Sequence, residues 1–286
     1  MKLVLVVIAA VITLALNPGA ATAASLHGML PQRQAADPPG AFQVLLTGFG
    51  PFMNYTTNPS QLVAEALHDQ CAQFRADNVV KHDYAVCFRT MVLPVADNGS
   101  VAVASYLSKF TEATADRIPY DVIIHMGLED AAKGLLFETI GFNQRANAST
   151  PGPIQPGGPT LLPTTVNLGH VRIPELYSLA ERRLGRPLAT DAALKVNPTR
   201  FSANDTTEAW SRDAGTFYCN ETLYRTLYQL RSRNLCRSPA FALIPAMFVH
   251  LPELTVMSTD AASSLITELA GKLALPLAQG VCSVVA

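Results

Sequence analysis

Charge is scarce in this sequence: Asp, Glu, Lys and Arg make up 15% of its 286 residues, and 21 basic against 22 acidic side chains leave a formal net charge of -1. No long Lys/Arg run breaks that balance, so nothing is available to neutralise a phosphate backbone and nucleic acid is not an expected partner. Aromatics are few, and the 17 glycines follow no triplet period, which excludes collagen. Metal-ligand spacing is missing too. The cysteines, Cys71, Cys87, Cys219, Cys236 and Cys282, form no Cys-x-x-Cys unit, and no His-x-x-x-His accompanies them; neither a metal nor a cofactor is expected. Apolar side chains, by contrast, are 49% of the chain, enough to build a sizeable core and to exclude wholesale disorder.

The longest apolar run stands at the start. Lys2 precedes Leu3 to Leu16, Asn17-Pro18-Gly19 breaks the run, and Ala21-Thr22-Ala23 supplies a small-residue cleavage pattern. The run is too short for a membrane span, so residues 1–23 read as a secretory signal peptide and residues 24–41 as a polar lead. The expected location is secreted, periplasmic or the lumen of the secretory pathway, or the cytoplasm if the leader is no signal. No later segment has the length and freedom from charge to cross a membrane.

From Phe42 to the end, short apolar runs alternate with amphipathic stretches. Strands are expected at Phe42–Gly48, Tyr84–Pro94, Tyr120–Gly127, Leu135–Phe142 and Phe241–Val249. Helices are expected from Asn58-Pro59-Ser60 to Asp69, over Asp97–Ala113, Pro174–Leu184 and Thr216–Arg231, and at the end from Thr259 to Leu273. The Pro/Gly-rich stretch 147–163 is the most loop-like part. Strands separated by helices predict a single α/β domain over 42–286, a three-layer α/β/α sandwich with a mostly parallel central sheet.

Ligands of such sheets bind at the carboxyl ends of the strands. Three polar residues fall there: His250 just past an apolar strand, Glu138 on the segment after the third strand, and Cys219 near the start of a helix. A thiol, an imidazole and a carboxylate are the parts of a cysteine hydrolase. Each also has an ordinary structural reading: Cys219 as a core residue, His250 as a hydrogen-bonded strand end and Glu138 as a solvated carboxylate.

Local strings favour the chemical reading. TGFGPFMNYTTNPS (Thr47–Ser60) resembles the opening motif of the pyroglutamyl peptidase type I family, T-G-F-x-P-F-G followed by N-P-S. FETIGFN (Phe137–Asn143) is similar to that family's glutamate segment, RDAGTFYCNETLYRTLYQ (Arg212–Gln229) to its cysteine box, and FALIPAMFVHLPEL (Phe241–Leu254) to its histidine box. The resemblance spans Phe42 to about Leu254 and is weak between Gln144 and Ser211. It implies a thiol peptidase that removes N-terminal pyroglutamate from peptides, with Cys219 as nucleophile, His250 as general acid/base and Glu138 orienting the imidazole. It also implies that Phe49 and Phe52 hold the lactam ring.

Two segments depart from the family's pattern. Met53 replaces a glycine, and Leu128 stands where many bacterial members carry a substrate-holding glutamine, followed by Glu129-Asp130-Ala131-Ala132 in place of a Gly-rich turn. A secretory leader is itself unusual in a family that is typically cytosolic. These departures leave two other readings open: an exported thiol hydrolase of another amide or N-blocked peptide, and an inactive secreted binding protein. Export further suggests disulfides Cys71–Cys87 and Cys236–Cys282, with Cys219 the one free thiol.

Overall fold

The computed structural model describes residues 31, 33–75, 82–146, 151–188, 210–237 and 242–278. The expected leader and Cys282 lie outside the described residues. Alternation along the strands explains the layers. β1 (Phe42–Phe49), β3 (Tyr84–Leu93), β4 (Val122–Leu128) and β10 (Ala246–Leu251) are almost wholly buried strands. A strand buried on both faces must offer apolar side chains to both.

Val44, Leu46, Ile124, Met126, Met247 and Val249 face α1 (Pro59–Leu67), α3 (Ile173–Leu184) and α5 (Thr259–Ala278). Leu45, Phe49, Ile123, Ala246 and Phe248 face α2 (Asp97–Leu107) and α4 (Tyr218–Ser232). Two apolar layers with a sheet between them give the expected sandwich. No helix among the described residues is long and apolar enough to cross a membrane.

Among the described residues the sheet has eight strands, in the order β2 (Cys71–Phe74), β3, β1, β4, β10, β5 (Leu136–Phe142) and β6 (Leu161–Pro163), with β7 (Trp210–Asp213) beside β5. β3, β1, β4 and β10 are parallel, so their carboxyl ends share one edge. β5 (Leu136–Phe142) runs antiparallel to β10, and β6 (Leu161–Pro163) antiparallel to β5. The segment between β4 and β5 contains no helix, and the chain turns back instead of crossing over. The short β8 (Cys236–Arg237) and β9 (Ala242–Leu243) form a separate ribbon.

On the opposite flank, Cys71 lies not at a helix end but on β2 (Cys71–Phe74), directly opposite Cys87 on β3, and the two are joined in a disulfide. Next to it, the fully buried Arg89 guanidinium pairs with Asp37 of the lead segment and with Asp69. The lead is thus tied to the sheet.

Candidate active site

The opening motif folds into a strand, a loop and a helix start that brace one another. Asn58 caps α1, accepting from the Ser60 N–H at 3.0 Å, while its amide donates to the Gly50 carbonyl at 3.1 Å. Ser60 Oγ accepts the Phe49 N–H at 2.9 Å. Pro59 takes the first helical position, where no N–H is needed. Gly48 is obligatory: a Cβ there would stand 2.1 Å from the Ser60 carbonyl oxygen.

Strand alternation then aims one set of side chains at α4. Thr47 and Phe49 on β1, His125 and Gly127 on β4, and Phe248 and His250 on β10 share the parity of the residues facing that helix. Glu138 on β5 pairs with Phe248 in the antiparallel register, one diagonal step from His250. Its Oε1 lies 2.7 Å from His250 Nδ1, with the carboxylate 1% exposed. The Cys219 sulfur, on the first turn of α4, stands close enough to the same imidazole to act on it electrostatically. The structure therefore brings Glu138, His250 and Cys219 together, and Cys219 is a free thiol.

Electrostatics at His250 follow from these neighbours. Burial alone would hold the imidazole below its ordinary value, but the Cys219 sulfur, by charge and hydrogen bond, and then Glu138 reverse the effect and raise it to about 10. The ring is held cationic between sulfur and carboxylate.

The aromatic pair separates. Phe49 is 3% exposed and belongs to the core, its ring 6.5 Å from Phe248, which in turn lies 4.8 Å from the His250 ring. Phe52, in the loop after β1, is half-buried and stacks on Tyr55. Met53 beside it is 86% exposed and takes a left-handed backbone, φ 50°, at the position where the family resemblance has glycine.

Several further residues, to which the sequence assigned no role in the site, support it. Gly127 lets Cys219 approach β4: a Cβ there would meet Cys219 Sγ and Phe248 Cζ, each at 2.9 Å. His125, fully buried, bridges Thr47 Oγ1 at 2.8 Å and Thr226 Oγ1 at 3.0 Å, tying β1 and β4 to α4; burial pushes its imidazole down to about 3, so it is neutral. Asn220, next to Cys219 and wholly buried, accepts the Phe142 N–H at 2.7 Å and donates to the Phe142 and Gln144 carbonyls. Glu221 pairs with Arg145 and Arg225. Asn143, the asparagine of the glutamate segment, shapes the Pro/Gly-rich loop by binding Gln155 and the Gly158 carbonyl. A polar residue inside an apolar strand (VIIHMG) and an asparagine abutting the cysteine were the available signals.

No protein-family model matches the chain. Over 216 residues it is 25% identical to a pyrrolidone-carboxylate peptidase of Halalkalibacterium halodurans, a match covering 73% of this chain and 83% of that one. Among solved structures it superposes on pyroglutamyl peptidase I of Bacillus amyloliquefaciens with a TM-score of 0.55 at 19% identity, covering 82% of this chain and 95% of that one. The pyrrolidone carboxyl peptidase of Thermococcus litoralis gives 0.55 at 18% identity, with 86% and 99% covered. A mutant enzyme from Pyrococcus furiosus gives 0.54 at 20%, with 81% and 98% covered. The chain thus has the fold of the pyrrolidone-carboxylate peptidases and is similar in sequence to a curated protein of that name.

Proposed function

We propose that this chain is a cysteine exopeptidase that removes pyroglutamate from the N-terminus of peptides. One observation supports the reading: Glu138 Oε1 lies 2.7 Å from His250 Nδ1, with the Cys219 sulfur acting on the same imidazole, at one edge of a sheet whose fold is shared with peptidases of that activity. In this mechanism the Cys219 thiolate attacks the carbonyl joining pyroglutamate to the next residue. The unfilled N–H groups in the first turn of α4, which has no side-chain cap, face the developing oxyanion. His250 protonates the departing amine, forming the thioester, and then takes a proton from the water that resolves it. Glu138 holds the ring by Nδ1 throughout.

A blocked, uncharged N-terminus needs apolar walls and no anionic anchor, and Phe52 beside the site suits it. Leu128 in place of a glutamine favours a second reading, a thiol hydrolase of a different N-blocked amide. Release of a fluorescent amine from pyroglutamyl, alanyl and prolyl amides separates the two. Cys219→Ser with unchanged circular dichroism is expected to lose turnover by at least about a hundredfold; near-wild-type activity would sink the assignment.

Export is part of the same proposal. The leader pattern and the Cys71–Cys87 bridge support an oxidising compartment, and mass mapping of thiols alkylated without reduction tests it: label at Cys71 or Cys87 in the native protein refutes the reading.

A further inference from the structure

Three strand-exit loops meet at the edge of the sheet that carries Cys219 and His250. Asn58 and Ser60 pin only the base of the β1 loop, at Gly50 and Phe49. Its far side is held differently. Phe52 and Tyr55 exchange two backbone hydrogen bonds, 3.2 and 2.9 Å, and their rings stack 5.8 Å apart with planes inclined by 25°. The Tyr55 hydroxyl then crosses to the loop after β4 and donates to Asp130 Oδ2 at 2.8 Å. The neighbouring Glu129 N–H donates to the Leu251 carbonyl at 2.9 Å, next to His250. A connected path therefore runs from Phe52 through Tyr55 and Asp130 to the end of β10, the strand that carries His250.

We propose that Tyr55 is a positioning residue for Phe52, and that its hydrogen bond to Asp130 sets the wall of the acyl pocket. The inference rests on the pyroglutamyl reading above. It gives a purpose to both departures from the family's pattern: the loop containing Met53 and the segment Glu129–Ala132 are the two partners of this latch. The donor is stable, because the hydrogen bond to Asp130, then desolvation, and last the charge of Glu253 hold the phenol protonated, raising it to about 12. Tyr55 touches no reacting atom, so its loss should weaken binding of the ring in ground state and transition state alike.

The test uses the full chain and compares Tyr55→Phe, Asp130→Ala, Asp130→Asn and the double variant Tyr55→Phe/Asp130→Ala. Tyr55→Phe keeps the stack and removes the donor; the expected result is a KM for the pyroglutamyl amide raised about 3- to 10-fold with kcat within about twofold. Asp130→Asn keeps an acceptor and should restore most of the wild-type KM. The double variant should be no worse than either disrupting single, because both remove one interaction. An unchanged KM in Tyr55→Phe, or additive effects in the double variant, would overturn the proposal. A second arm needs no substrate: amide exchange at Phe52 and Tyr55 should quicken in Tyr55→Phe, and unchanged protection there overturns the latch even if the kinetics shift. A wild-type protein silent on every pyroglutamyl amide refutes the functional reading instead, and the exchange arm alone then decides the latch.

Discussion

Gly127→Ala is the sharpest perturbation the site offers, because one methyl group falls between the nucleophile and a core aromatic. The added Cβ would sit 2.9 Å from Cys219 Sγ and 2.9 Å from Phe248 Cζ, about half an ångström inside ordinary contact on both sides. Phe248 is wholly buried, with Phe49, His125 and His250 around it, and has little room to retreat. Cys219 is only half-buried on the first turn of α4, so the sulfur is the atom that yields. A displacement approaching 1 Å at a reacting atom can cost about a hundredfold in rate, and we expect kcat to fall about 10- to 100-fold with KM little changed. Overpacking should also destabilise the fold by about 1–3 kcal/mol, so turnover is to be measured well below the midpoint of thermal unfolding. The rate of Cys219 alkylation by iodoacetamide gives a second reading of the sulfur's environment. A Gly127→Ala protein with wild-type kcat and wild-type alkylation would refute the close approach of β4 to the nucleophile.

Other expectations follow from the same geometry. Glu138→Gln should reduce kcat less than His250→Ala, since an amide oxygen can still accept from Nδ1 but cannot stabilise imidazolium; equal losses would argue that the carboxylate does more than orient the ring. The raised His250 contributes stability that is fully present below its unfolded value near 6.5 and lost as pH rises through about 10; ring-nitrogen NMR titration should show the cation persisting into alkaline solution, and Cys219→Ala should lower that midpoint. Asp37 is held below the usual carboxylate range because, although burial raises it, its bonds to Arg89 prevail, so its stabilisation is present above pH 4 and lost as acid is added. Asp37→Asn should therefore cost about 3 kcal/mol by leaving Arg89 with only Asp69, read as a melting-temperature drop of roughly 6–12 °C; an unchanged melting temperature would mean that the lead segment does not hold that charge.

Element by element, the long apolar runs were legible and the pairings were not. FQVLLTG, YDVIIHMG and the stretch ending FVH announce β1, β4 and β10 because a strand buried on both faces needs uninterrupted apolar residues. The reversal of β5 was hidden, since its own sequence is the same whichever way its neighbour runs. β2, β6 and β7 are too short to carry a period, and α5 continues past the expected stop near Leu273 to Ala278, with Pro276 inside its last turn. Phe49 illustrates a finer limit. The motif marks two phenylalanines alike, but Phe49 lies on β1 with the parity of the core face while Phe52 lies beyond the strand, so only Phe52 is left at the loop surface. Phe49→Ala is therefore also a core truncation costing about 3–5 kcal/mol, so its effect on KM has to be read well below the unfolding midpoint and beside that of Phe52.

Glu138, Cys219 and His250 each stand inside a recognisable string of the sequence; the device that fixes their spacing was not legible there. Cys219 belongs to a helix and Glu138 to a strand, and no local pattern relates the two. The relation is set by the two side chains that follow Cys219: Asn220 takes up the backbone of Phe142, the last residue of β5, and of Gln144 just past it, and Glu221 pairs with Arg145 a residue further on. His125 adds a second tie two turns along the same helix, from β1 and β4 through two threonine hydroxyls. Each of these groups is buried, so its hydrogen bonds are costly to leave unmade. That cost holds α4 in one position against the sheet, and a thiol on its first turn meets an imidazole on β10 as a result. The proposed chemistry is local to three residues, but their geometry is a property of polar groups placed where a core would otherwise be apolar.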